Sequence, residues 1–171
     1  LVRQGANIVT CDVDTAALEQ LRNDLGEVTG EIVIEDVDVS DRSAMLRFAE
    51  RTHSHFGTVH ALFNNAGVGG EWGRLFEVAQ ADFPWCMKIN VNGVVNGIEA
   101  FVGRMVASGQ ACHVVNIASV SGILPNPGGG GYSPSKYAVV SLTEGLAVEL
   151  ADTQVAASVV CPGFVNTGFL A

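Results

Sequence analysis

The chain has 171 residues, 48% of them hydrophobic, with a mean hydropathy of +0.31, a formal net charge of −9 and a sequence pI near 4.7. That length suits one domain with an ample core, and the acidic balance argues against nucleic-acid and acidic-membrane binding. No apolar run reaches the ~18 residues of a membrane span.

The four cysteines (Cys11, Cys86, Cys112, Cys161) have no C-x-x-C spacing, a pattern that fits buried, reduced thiols in a cytoplasmic protein. Residues 1–6 read as the end of a helix stopped by Gly5, so the pattern predicts a chain that begins partway through a larger unit. Residues 7–13 form a short apolar run that predicts a buried strand ending near Asp12. Asp14-Thr15 caps a helix to about Leu25, with Leu18, Leu21 and Leu25 on one face. Residues 31–37 predict a second strand running into Asp38-Val39. Ser40-Asp41 then caps a helix that turns Met45, Phe48 and Ala49 inward and stops at Gly57. Residues 59–63 predict a third strand, followed by Asn64-Asn65-Ala66-Gly67 and a glycine-rich loop to Gly73. A long helix is predicted over 82–107, with Pro84 tolerated in its first turn. A fourth strand over 113–118, a loop over 119–131, a helix over 135–150 and a fifth strand over 155–161 complete the order.

Strands alternate with helices and are mostly continuous apolar runs. This predicts an α/β fold, a doubly wound Rossmann-like parallel sheet covered on both faces. Ligands bind such sheets at the carboxyl ends of the strands. The polar clusters Asp12, Asp38, Asn64-Asn65, Ser119 and Pro162-Gly163 all fall at such ends.

Tyr132 and Lys136 stand four apart at the head of a helix, on one face. A phenol beside a fixed ammonium is a device for proton transfer, because the positive charge favours the phenolate. Ser119 precedes Tyr132 by thirteen residues, and Ser121 competes with it two residues on. Asn90 and Asn92 both lie before Gly93 in the long helix.

With these clusters in order, the chain resembles the short-chain dehydrogenase/reductase family over nearly its whole length. Asn64-Asn65-Ala66-Gly67 is similar to the family's N-N-A-G, Asn90-Val91-Asn92-Gly93 to its N-x-x-G, Tyr132 to Lys136 to its Y-x-x-x-K, and Pro162-Gly163 with Thr167 to its P-G-x-x-x-T. The resemblance implies an oxidoreductase that moves hydride between a nicotinamide cofactor and a secondary alcohol or ketone. Tyr132 would be the general acid and base. Lys136 would favour its phenolate and bond the nicotinamide ribose, and Ser119 would hold the substrate oxygen. Asn90, at a helix irregularity that frees a backbone carbonyl, would hold a water linked to Lys136. For the cofactor, the resemblance implies Asp38 and Val39 at the adenine, Asn65, Ala66 and Gly67 near the adenine ribose, Tyr132 and Lys136 at the nicotinamide ribose, and Pro162, Gly163, Val165 and Thr167 around the carboxamide. Asn64 would brace neighbouring strands. Asp12 would accept from the adenosine ribose hydroxyls and repel an added phosphate, which favours NAD over NADP; the competing reading is a solvated turn aspartate or part of the Asp14 cap. The resemblance also implies a homodimer or homotetramer built on the two long helices, with Ala138, Val139, Leu142, Leu146 and Leu150 offering apolar surface. No metal site is expected.

One family element has no counterpart. The opening strand and the glycine loop T-G-x-x-x-G-x-G, which hold the pyrophosphate, are not found, nor is the last strand or the segment over the substrate. The expectation is therefore one domain over 1–171, truncated at both ends, with the first strand missing between the strands at Ile8 and Val59. It leaves two further readings open, a non-catalytic NAD-binding protein and a structural fragment. Trp72 and Ile123-Leu124-Pro125 could line a moderately apolar substrate pocket, or simply pack.

Overall fold

The computed structural model describes residues 1–78 and 82–165. A single turn of 3-10 helix, Val2–Gln4, ends at Gly5 with φ 89° and leads into β1, Ile8–Asp12. Then follow α1 (Thr15–Leu25), β2 (Ile32–Asp36), α2 (Arg42–Phe56) and β3 (Ala61–Asn64). The predicted long helix comes in three joined parts: α3 (Asp82–Cys86), a π-helical turn (Met87–Asn92) and α4 (Gly93–Ala107). β4 (Cys112–Ile117), α5 (Tyr132–Glu149) and β5 (Val155–Val160) complete the described order.

The helix starts follow local chemistry. The Asp14 carboxylate accepts from the Ala17 amide at 3.0 Å, and Asp41 accepts from Ser43 and Ala44 at 2.8 and 3.1 Å. Each satisfies amides that a first helical turn leaves unpaired. α5 begins at Tyr132, three residues before the predicted start at Ser135. Pro134 then falls in the first turn, where its missing N–H costs nothing.

All strand pairings are parallel. β1 pairs with β2, and β3–β4–β5 form a second group in that order. Among the described residues no pairing joins β1 to β3, which is where sequence reasoning expects the missing strand. The main core lies between β3–β5 and the α2/α4 pair. It joins Phe48 to Phe101 (edge-on rings, centroids 5.9 Å apart), and both to Met45, Leu62, Met105, Val114 and Leu146.

Cover on the two faces is unequal. Leu62 and Val114 are buried beneath the helices, but Phe63, on the opposite face, is 55% exposed. The expectation of two covered faces holds for one side of this sheet only, because α4 and α5 both pack there while α1 packs against β1 and β2. For the same reason Leu21 is exposed and Leu18 alone is buried in α1. Val139 and Leu146 on α5, and Leu150 just past its end, lie in the core, so of the five residues expected at an oligomer surface only Leu142 is exposed and Ala138 half-buried. All four cysteines are free, and no helix among the described residues is long and apolar enough to cross a membrane.

Candidate active site

The parallel register brings the strand ends to one edge. Asp12 stands opposite Asp36, Asn64 opposite Asn116, and Ile117 opposite Val160. Ser119 follows β4, and Tyr132 and Lys136 enter from the head of α5.

Lys136 is the most deeply set charge at this edge, with 4% exposure. Its Nζ donates to the Ile117 carbonyl at 2.9 Å and lies 5.7 Å from the centre of the Tyr132 ring. Burial disfavours the ammonium and pulls it down from 10.5 to about 8. Tyr132 and Ser119 are also buried. The Ser119 hydroxyl accepts from the Ser121 amide at 3.1 Å and so starts a turn at Val120–Gly122. The Ser121 hydroxyl is engaged by Asn126 Nδ2 at 2.9 Å.

Of the two asparagines, Asn90 is fully buried and Asn92 exposed. Asn90 sits in the π-helical turn, the irregularity expected at that position. Its side chain bonds the Val68 backbone from both ends, Oδ1 accepting from the amide at 2.7 Å and Nδ2 donating to the carbonyl at 2.9 Å. Nδ2 also donates to Ser135 Oγ at 2.8 Å, and that hydroxyl donates to the Tyr132 carbonyl at 2.6 Å. Asn90 thus ties the loop after β3 to the first turn of α5. Gly67 completes the contact: a Cβ there would lie 3.2 Å from both Asn90 Oδ1 and Lys136 Nζ. A side chain there would have to push the asparagine or lysine head back by a few tenths of an ångström.

A second network braces the strands. Asn64 Nδ2 donates to Asn116 Oδ1 at 2.8 Å, and Asn116 Nδ2 donates to Thr143 Oγ1 at 3.0 Å. The bracing role of Asn64 was foreseen; Asn116, Thr143 and Ser135 were not. A polar residue inside the apolar β4 run was the one signal that could have pointed to Asn116.

The remaining candidates line the same edge. Asp12 is exposed and accepts from the Asp14 amide at 3.0 Å, so it stabilises its own turn while Asp14 caps α1 separately. Asp38 is exposed, with Oδ1 accepting from the Ser40 amide at 2.8 Å and hydroxyl at 2.6 Å. The Ser40 hydroxyl is the main reason its carboxyl is held below the usual range. Val39 is half-buried, accepts from Asn96 Nδ2 at 2.8 Å and packs on Gly93, where a Cβ would come within 2.9 Å of Val39 Cγ2. Asn65 and Ala66 are exposed. The Pro162 carbonyl accepts from the Val120 amide at 2.8 Å, and Gly163 and Val165 are exposed beyond β5. Thr167 lies outside the described residues. Among the described residues no group of His, Cys, Asp and Glu could hold a metal ion.

The residues fit a nicotinamide nucleotide. The side-chain-free backbone at Gly67 leaves a cradle against Lys136, an ammonium suits ribose hydroxyls, and carboxylates end β1 and follow β2.

A family model described as short chain dehydrogenase matches residues 1–171. The probable oxidoreductase EphD of Mycobacterium tuberculosis (strain ATCC 25618 / H37Rv) is 33% identical over 169 residues, covering 99% of this chain and 28% of that protein. The 3beta-hydroxysteroid dehydrogenase 2 of Eggerthella lenta is 32% identical over 166 residues, covering 95% of this chain and 63% of that one. A crystal structure of a short chain dehydrogenase/reductase from Burkholderia phymatum in complex with NAD superposes with a TM-score of 0.90 at 41% identity, covering 95% of this chain and 58% of that chain. This chain therefore spans less than two thirds of each of these proteins.

Proposed function

Because the chain belongs to the short-chain dehydrogenase family, we propose that it serves hydride transfer between a nicotinamide nucleotide and a secondary alcohol or its ketone, with Tyr132 as general acid and base. The observation that carries this reading is the buried Lys136 ammonium beside the Tyr132 ring. A bound nicotinamide supplies the hydride in one direction and accepts it in the other.

The chain's own groups handle the proton. In reduction, the Tyr132 hydroxyl gives its proton to the substrate oxygen; in oxidation, the phenolate takes it back. The Ser119 hydroxyl donates to the same substrate oxygen and orients it. Lys136 also presents donors to ribose hydroxyls. Asn90 holds the π-helical turn and, through Ser135, the first turn of α5, so Tyr132 and Lys136 keep their relative positions.

NAD is the proposed cofactor in preference to NADP. Asp12 stands in register with Asp36, and the next residue is Val13, with no cation to receive a second phosphate. Two carboxylates at this point would repel it. Asp38 and Val39 are assigned to the adenine, Asn65, Ala66 and Gly67 to its ribose, and Pro162, Gly163, Val165 and Thr167 to the carboxamide. A homodimer or homotetramer would use the exposed apolar side chains of α4 and α5, such as Val95, Leu142 and Val148. A cytoplasmic setting suits the four free thiols.

The test is titration of the chain with NADH and, in parallel, NADPH, read by energy transfer from Trp72 and Trp85. Saturable binding at least about tenfold tighter for NADH is expected, a difference of about 1.4 kcal/mol. Tyr132→Phe should lose about 10²-fold or more of any alcohol turnover. Tighter NADPH binding would reverse the cofactor assignment, and full turnover by Tyr132→Phe would remove the proposed role.

A further inference from the structure

Resting on that reading, we propose that the substrate is a neutral, ring-bearing secondary alcohol or ketone whose ring seats on the face of Trp72.

Three observations carry this. The Trp72 ring stands 6.1 Å from the Tyr132 ring, centroid to centroid, tilted by 45°. It is therefore a direct neighbour of the group assigned to the substrate oxygen. Trp72 is nonetheless 52% exposed, although large apolar rings beside a buried polar cluster are usually covered. And the exposure belongs to a tethered backbone. Residues on both sides of Trp72 are tied down: the Glu71 amide donates to Asp82 Oδ1 at 2.6 Å, and the Gly73 amide donates to the Gly128 carbonyl at 2.9 Å.

The glycines of the two loops explain how the shelf is set. Gly70, Gly130 and Gly131 crowd around Asp82; a Cβ on Gly70 would come within 2.8 Å of either carboxylate oxygen, and one on Gly131 within 2.9 Å of Phe83 Cα. Asp82 thus fastens the loop carrying Trp72 close to the loop that opens α5 at Tyr132. A preorganised aromatic face beside the reacting oxygen favours a flat or cyclic partner, which loses little freedom when it stacks.

The chemistry of the same loops sets the charge. Residues 67–73 contain one charged side chain, Glu71, and residues 123–131 contain none. Ile123 and Leu124, on the second loop, are 51% and 55% exposed. The stretch from 65 to 81 carries one cation, Arg74, and Glu77 already pairs with it at 3.7 Å, so a carboxylate or phosphate on the substrate finds no uncommitted cation on either loop. A neutral apolar ring needs none.

The experiment compares 2-tetralone with decan-2-one, neutral ketones of equal carbon number, by saturation-transfer NMR titration of the wild type, Trp72→Ala and Trp72→Phe. Circular dichroism checks that each variant is folded. The expected result is a preference of about fivefold or more for 2-tetralone in the wild type. It should survive in Trp72→Phe and vanish in Trp72→Ala. Equal affinity in the wild type, an unchanged preference in Trp72→Ala, or no saturable binding of either ketone overturns the proposal. NADH-dependent reduction, measured alongside, separates the two readings. Tyr132-dependent reduction of both ketones without ring preference removes the Trp72 shelf and leaves hydride transfer standing. Ring-selective binding with no reduction does the reverse.

Discussion

At the scale of single residues, the site keeps a cation where water is scarce. Lys136 is stabilised by one carbonyl bond and destabilised by burial, and the burial dominates, holding it down to about 8. The sign of the consequence follows. Between pH 8 and 10.5 the unfolded chain still holds a proton that the folded chain has released, so this group makes the fold more stable as pH rises through that window. Below about 8 the full cost of burying the charge is present, on the order of 3 kcal/mol. Cys11 and Cys86 act oppositely. Their thiols are pushed up from 9 to about 11, chiefly by burial, so the unfolded chain ionises first and stability falls over that range. Comparing Lys136→Met with the wild type cancels the cysteines. In urea unfolding from pH 7 to 10.5, the wild type should gain about 2–3 kcal/mol on the mutant; a difference that stays flat with pH would contradict this account of Lys136.

At the scale of elements, α4 shows how one glycine can matter and another not. Gly97 faces the strand-end network: a Cβ would lie 2.1 Å from Asn64 Oδ1 and 2.9 Å from its Cγ. Asn64 cannot step aside without losing Asn116, which is itself tied to Thr143. Gly103, on the same helix, has nothing within 4 Å of such an atom. Helix propensity alone would reward alanine at both positions by up to about 1 kcal/mol. Overpacking costs about 1–3 kcal/mol and should win at Gly97. Gly97→Ala is therefore expected to lower the thermal midpoint and Gly103→Ala to raise it, as calorimetry on the pair would reveal. A rise in both would mean that the Asn64 network yields freely.

At the scale of the whole molecule, the two strand groups are unequally held. β4 is paired on both sides and packed beneath α4 and α5, whereas β1 pairs only with β2 among the described residues and its apolar side chains are only half-buried. Unpaired edges and thin cover mark segments that open locally before the rest. Native-state hydrogen exchange should find the β4 amides slowest and those of β1 and β2 markedly faster. Equal protection across β1 and β4 would show that the β1–β2 pair is held as firmly as the centre of the sheet. The exposed Phe63 face belongs to the same imbalance.

The order of strands and helices, the caps at Asp14 and Asp41, and the polar residues at strand ends were legible in the chain alone, because each rests on local periodicity or on a side chain reaching amides two or three residues away. The spacing of Tyr132 to Lys136 was legible for the same reason. The choice of Asn90 over Asn92 acquired its physical basis only in three dimensions, where Asn90 reaches Val68 and Ser135, 22 and 45 positions away. The Asn64–Asn116 bond spans 52 positions, and the polar Asn116 inside the apolar β4 run was its one trace in the sequence. The tertiary structure likewise decided that Leu21 stays exposed while Leu146 and Leu150 join the core. An apolar residue on a helix face states a preference for burial; only the neighbours that fold against it determine whether that preference is met.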